Sequence, residues 1–273
     1  MEAKYLARSH SSYDYKSLSK KDFEWAVKLN RFGLELIGLW PNSEQTTWEK
    51  HVCNLRVLLT FLLIIFVLMI PAIHSLIRVH FDILLVTDNL MSTLPIITCI
   101  LRLVIFWWKR KAVAPIIHLI ANDWIKTTTS QEKGMMIAKA QIARIIVTFG
   151  YGMMGAAITV MTVLPIFGYS VRHLSNITAD LERPLPIQTY YIYDTTRSPQ
   201  YELTYVVQSI ASFLCIMCYT GIDNFLSLSV FHISGQLDIL RNRLLHLHIV
   251  ANFNNVLKSC IMEHIRLLRY ILS

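Results

Sequence analysis

Between Arg56 and Arg78 the chain runs for 21 consecutive residues without an acidic or basic side chain, and from Val57 to Ile70 nearly all of them are Leu, Ile, Val or Phe. A soluble core is assembled from apolar stripes that each keep a polar opposite face. A run of about 20 apolar residues leaves no face for water and matches the thickness of a bilayer. Three further runs repeat the pattern. Ile83 to Trp108 ends in Phe106, Trp107 and Trp108, rings that favour the headgroup level, followed at once by Lys109, Arg110 and Lys111. Ile145 to Val171 holds 27 residues without a charge, with Gly150, Gly152 and Gly155 as a surface that would let another helix come close. The fourth begins near Leu203 and stays apolar past Asp223 to about Ile233. With 54% hydrophobic and 16% charged residues and a mean hydropathy of +0.44, the whole composition belongs to the membrane class. The expected fold is all-α: a polytopic membrane bundle of four transmembrane helices, over about 55–77, 83–108, 144–168 and 203–233, with cytoplasmic amphipathic helices.

Lys and Arg are retained on the cytoplasmic side during insertion. Residues 1–54 carry eight of them, 108–143 six and 234–273 five, against four on the other side: Arg78, Arg172, Arg183 and Arg197. Both termini are therefore expected in the cytoplasm. The single N-x-S/T sequon, at Asn176, falls in the predicted external loop as a glycosylation candidate. No cysteine lies in a predicted external loop; Cys215 and Cys218 have CxxC spacing but lack the strand-to-helix setting of a redox motif. No cleavable leader is visible in residues 1–54, so the first span is expected to act as its own anchor.

The parts between spans read as three segments. Residues 1–54 form a cytoplasmic segment in which Phe23, Ala26, Val27, Asn30, Leu34 and Ile37 recur at helical spacing, either as an interfacial helix or as a helix packed on other protein. Residues 112–143 fit two helical extensions joined by a polar loop. After the 55–233 transmembrane bundle, residues 234–273 hold two stripes, Leu237, Leu240, Leu244, Leu247 and then Ile261, Ile265, Leu268, Leu272, expected as amphipathic cytoplasmic helices. The last pattern stops at Ser273 inside an element, as though ahead of a fifth span.

Chemistry is sparse. No phosphate loop, nucleophile elbow or HExxH motif occurs, so an enzyme is not expected. His246 and His248 are two residues apart and point in different directions on a helix, which argues against a metal site with His264. No cofactor is implied. The formal charge of +8 is spread beside span ends and not gathered into one stripe, which fits a bilayer partner and not nucleic acid. Arg102 and Asp88 lie near opposite ends of the second span, where Arg102 can snorkel outward.

Four pieces in order carry a resemblance: Asp22-Phe23-Glu24-Trp25 to Gly38-Leu39-Trp40-Pro41; Phe106-Trp107-Trp108-Lys109-Arg110-Lys111; Gly235-Gln236-Leu237-Asp238; and Cys260-Ile261 with His264 and Leu267-Leu268-Arg269. In these the chain resembles the insect odorant receptors. The resemblance implies seven spans when complete, of which four are present here, and an inside N-terminus. It also implies a plasma-membrane receptor that senses small hydrophobic odorants and gates a cation channel together with an odorant receptor co-receptor. The alternative is an unrelated four-helix transporter or accessory membrane protein. A G-protein-coupled receptor fragment would need the opposite orientation.

The implied ligand pocket lies in the outer half of the bundle. There the third span offers Ala156, Thr159 and Thr162 on one face and the fourth offers Tyr205, Gln208, Ser209 and Ser212, with Met91 and Ser92 from the second. Small or polar groups in apolar walls are the usual make-up of such a pocket; packing through small residues is the competing role.

The charge asymmetry makes a direct prediction. Epitope tags placed at Met1 and after Ser273 should stain only in permeabilised cells, and staining of either on intact cells would defeat the topology.

Overall fold

The computed structural model describes residues 2–41, 46–127, 129–169, 184–187, 189–195, 197–247 and 253–272. The sequon at Asn176 lies outside them. Among the described residues every regular element is helical: α1 (Glu2–Ile37), α2 (Thr47–Leu63), a π-helical turn (Ile64–Met69), α3 (Ile70–Arg78), α4 (Ile83–Trp108), α5 (Arg110–Lys126), α6 (Ser130–Val163), a 3-10 turn (Leu164–Phe167), α7 (Gln200–Leu245) and α8 (Phe253–Leu272). Among the same residues four stretches are long and apolar enough to cross a membrane: Thr47–Arg78, Ile83–Trp108, Ser130–Phe167 and Gln200–Leu245. The chain is an all-helical, multi-pass membrane protein.

Local chemistry sets the helix ends. Thr46 and Glu49 form a reciprocal capping box that starts α2, the Thr46 amide donating to Glu49 Oε2 at 2.8 Å and the Glu49 amide donating to Thr46 Oγ1 at 3.3 Å. The Asp82 carboxylate accepts from the Leu84 amide at 2.9 Å and so caps α4. Gly38 closes α1 with φ +86°, and the Leu39 amide turns back to the Leu34 carbonyl at 2.8 Å. A Cβ at Gly38 would also lie 2.5 Å from the Cys53 carbonyl oxygen, so this position requires glycine twice over. The predicted amphipathic stripe after the fourth span starts no new helix, because nothing breaks the chain between Ile233 and Leu245. At 1.5 Å per residue, the 46 residues of α7 reach roughly 70 Å, over twice the hydrocarbon thickness.

Contacts divide the chain into two units. The first comprises Met1–Phe32, Lys109–Thr148 and Asn224–Ser273. Its core joins Ala26 of α1, Ile120 and Trp124 of α5, Met136 and Ala140 of α6 and Ile239 of α7. Around this core sits a set of ion pairs: Lys133 to Asp22 at 2.6 Å, Lys139 to Asp238 at 3.0 Å, and Arg243 forked onto Glu132 at 2.6 and 3.0 Å. Arg144 donates to the Trp25 carbonyl and lies 4.3 Å from the centre of that residue's ring. The deepest group is Asp123, whose side chain is 1% exposed and takes His232 Nε2 at 3.1 Å and Arg266 at 2.5 Å. Burial works against the Arg266 charge, and the Asp123 carboxylate outweighs it, so the guanidinium holds its proton more tightly than usual.

The second unit comprises Gly33–Trp108 and Phe149–Asp223. Here α1 ends against α6 and α7: a Cβ on Gly33 would collide with the Tyr151 hydroxyl and come within 3.8 Å of the Gly221 Cα. These glycines, and not Gly152 or Gly155, provide the close approach, since a Cβ added at either of the latter meets nothing within 4 Å. The stripe Leu34 and Ile37 is wholly buried, which decides for a helix packed on protein at this end of α1. Polar residues fasten α3 to α4. Asn89 donates to Ser75 Oγ at 2.6 Å, and the Thr93 hydroxyl contacts the Asn89 carbonyl at 2.8 Å. Arg102 does not snorkel alone. It bonds Asp223 of α7 at 2.5 Å and lies 4.1 Å from the centre of the Tyr219 ring, so two ionisable groups inside spans neutralise each other.

The Asp123 cluster generates a stability prediction. Asp123→Ala strands a buried histidine and a largely buried guanidinium and should cost about 3 kcal/mol, read from denaturant unfolding of the purified protein in detergent. Asp123→Asn keeps one acceptor and should cost less. Equal stability of D123A and the parent would show that the cluster is dispensable.

Candidate ligand-binding site

The first membrane helix is interrupted where its sequence has Pro71. Proline has no amide hydrogen, so the carbonyl of Val67, four residues earlier, loses the α-helical donor it would otherwise have. The helix widens here to a π turn over Ile64–Met69, and the Ile70 amide bonds back to Ile65. The Val67 carbonyl is met from outside the helix, by the Tyr191 hydroxyl at 3.1 Å.

Tyr191 belongs to the connection between the 3-10 turn and α7, and its neighbours are anchored in the same manner. Tyr190 lies beneath the Arg78 guanidinium, 4.6 Å from its ring centre, and stands edge-on to the His74 ring with centroids 6.4 Å apart. Tyr193 bonds the Thr204 hydroxyl at 2.8 Å. Thr204 spends its own proton on the Gln200 carbonyl at 2.7 Å, which makes Tyr193 the donor. One stretch of loop is thus tied to α3 by Tyr190, to the π turn by Tyr191 and to α7 by Tyr193.

The central fastening is Gln208 on α7, fully buried. Its Oε1 accepts from the Ile187 amide at 3.0 Å, while its Nε2 donates to the Ile187 carbonyl at 2.7 Å and to the Tyr191 hydroxyl at 3.2 Å. A side-chain amide offers one acceptor and two donors in a plane, and here all three functions are used. Burial pushes the Tyr191 phenol up to about 12, so it stays protonated and able to donate throughout the physiological range.

Beside these tyrosines lies an open cavity of about 460 Å³, bounded by Phe66, Val67, Ile70, Pro71 and His74 of the first membrane helix, by residues 190–193, and by Gln200, Leu203, Thr204 and Val207 of α7. That volume is within the range of small-molecule sites, roughly 300–1,000 Å³, and the mixture of apolar walls with a few placed polar groups is the usual composition of one.

The nine residues singled out from sequence do not line this cavity. Gln208 borders it through Tyr191. Tyr205 donates to the Thr162 carbonyl, which braces α7 on α6, and Ser209 donates back to the Tyr205 carbonyl at 2.8 Å. The hydroxyls of Thr159 and Thr162 bond to the carbonyls of Gly155 and Ile158 in their own helix. Ser212 is buried with its hydroxyl unpartnered. Met91 is 72% exposed and Ala156 is also exposed, while Ser92 is half-buried. Sequence reasoning missed Val67, His74, Tyr191, Thr204 and Val207. The available signal was Pro71 inside an otherwise unbroken apolar run, together with three tyrosines at 190, 191 and 193 in a loop.

Compared with known proteins, the chain matches the family model of the 7tm odorant receptor over residues 82–272. No curated protein matches it. The match begins at the start of α4 and covers more than half of the chain, including the loop tyrosines and the part of α7 that line the cavity. On that match, and as an all-helical multi-pass membrane protein, this chain belongs to the 7tm odorant receptor family.

Proposed function

We propose that this chain is the ligand-binding subunit of an odorant receptor in the plasma membrane, taking small hydrophobic odorants into the cavity beside Tyr190, Tyr191 and Tyr193. The observation that carries this reading is a ligand-sized, mostly apolar cavity whose tyrosine wall is tied to three different helical segments, in a chain of odorant receptor ancestry. Both termini lie in the cytoplasm, on the strength of the Lys and Arg asymmetry. The partner is an odorant receptor co-receptor, with which the complete receptor gates a cation channel in sensory transduction. Gln208 enters the proposal as the anchor of the tyrosine wall, and Tyr205 with Thr162 as the brace that keeps α7 in place. Met91, Ser92, Ala156 and Thr159 have no part in it.

The mechanism follows from how the tyrosine wall is held. An odorant in the cavity lies against the π turn on one side and Val207 on the other, so its shape bears on the Tyr191 to Val67 bond and on the Tyr193 to Thr204 bond. A guest that fits favours one arrangement of the loop over another by the difference in its contacts with the two, and only that difference can drive a response.

Two measurements test the proposal. In lipid nanodiscs, displacement of a fluorescent apolar probe should be saturable for the parent protein and lost in Leu203→Trp or Val207→Trp, which fill the cavity. Leu203 is 68% exposed, so the first substitution does not disturb packing. Unaltered probe binding in both variants would remove the cavity as the site. Gln208→Leu should leave the Ile187 amide and carbonyl without their partner, at a cost of roughly 1–3 kcal/mol for each unpaired group, while Tyr191 keeps its bond to Val67. Hydrogen exchange at the Ile187 amide should then accelerate at least about tenfold, the equivalent of 1.4 kcal/mol; exchange as slow as in the parent would mean that other contacts hold the loop.

A further inference from the structure

No acidic residue lies between Asp88 and Asp123, and within that stretch the chain carries Arg102, Lys109, Arg110 and Lys111. Arg102 is answered from a distant helix, by Asp223. Lys109, Arg110 and Lys111 meet no carboxylate among the described residues. Insertion in one orientation requires cations at this end of the span, but it does not require that they stay uncompensated. Lys133, Lys139, Arg243 and Arg266 belong to the same unit, and each of them pairs with an acid. The three consecutive cations are thus a concentrated charge that the protein leaves open. Lys109 and Lys111 are exposed and Arg110 is half-buried.

Their depth follows from the residues just before them in the chain. On α4, Leu101, Ile105 and Trp108 succeed one another at i, i+4 and i+7 and share one face, with exposures of 55%, 57% and 80%. That face is apolar and open to lipid, and it ends in an indole ring of the kind that settles at headgroup level. Lys109 then leaves α-helical geometry with ψ 5°, and α5 begins at Arg110. Covalent continuity alone sets the three cations at the level of the lipid phosphates. With the N-terminus inside, two spans return the chain to the cytoplasmic face, so the leaflet is the inner one.

We infer that Lys109, Arg110 and Lys111 bind the headgroup of an inner-leaflet phospholipid that carries several phosphates. A zwitterionic headgroup brings no net charge, and one with a single negative charge leaves two of the three cations unanswered; a polyphosphorylated headgroup matches them all. The lipid form is favoured over a free polyphosphate because the bilayer already holds its headgroup at this depth, which raises its effective concentration at the site. This goes beyond the odorant cavity and is independent of it.

The test uses the full chain in phosphatidylcholine nanodiscs, with energy transfer from tryptophan to a small fraction of lipid labelled on its acyl chain. Phosphatidylinositol bisphosphate should saturate the signal at a mole fraction at least about tenfold lower than phosphatidylserine. Replacing all three residues, Lys109→Gln, Arg110→Gln and Lys111→Gln, should raise that mole fraction at least about tenfold. The control removes three other exposed cations, Arg241→Gln, Lys258→Gln and Arg269→Gln, which also lack an acidic partner among the described residues; it should stay within about twofold of the parent. Equal losses in the two triple variants, or equal enrichment of phosphatidylserine and the bisphosphate, would reduce the effect to diffuse surface charge and overturn the site. Soluble inositol trisphosphate at the total concentration of the labelled lipid should displace little of it. Full displacement would make a free polyphosphate the ligand and overturn the assignment to lipid.

Discussion

A loop backbone cannot lie against a membrane helix unless its amide and carbonyl groups find partners, because lipid supplies none. In this protein the side chain of Gln208 meets that requirement. It pairs with both backbone groups of Ile187 and still has a donor for Tyr191. That one amide holds the connection ahead of α7 to the helix and helps to orient Tyr191 at the edge of the cavity. A buried Gln on a spanning helix is costly when unpaired, and here the three bonds around it offset that cost.

The second half of the same device lies in the first membrane helix. Pro71 withholds a donor from Val67, the helix relaxes into a π turn, and the free carbonyl becomes an attachment point for the loop. A defect in one helix and a surplus donor in a distant loop satisfy each other. The cavity forms beside this junction, where the widened turn presents Phe66 and Val67 and the proline presents no amide. Irregular backbone beside the cavity is thus the local consequence of a missing N–H.

The two units are stabilised differently. The Gly33–Trp108 and Phe149–Asp223 unit relies on hydroxyls and amides, with Arg102 and Asp223 as its ion pair between helices. The other unit joins its helices with several ion pairs around an apolar core, and Asp123 links α5 to both α7 and α8.

What the sequence determined by itself is the class of solvent and the elements suited to it. A charge-free run from Val57 to Ile77 has one physical outcome, a helix in lipid, because backbone groups there must be satisfied within the segment. Capping at Thr46 and Glu49, the turn at Gly38 and the proline interruption at Pro71 are likewise local, since each depends on atoms only a few residues apart. The site was not legible in this way. Tyr191 meets Val67 across 124 residues, Arg102 meets Asp223 across 121, and Arg266 meets Asp123 across 143. Small and polar residues such as Ala156, Thr159 and Ser209 look alike in sequence whether they line a pocket, bond their own helix or face outward. Only the packing of one helix on another decides which, because the rotation of a helix about its axis is set by its neighbours and not by its own residues.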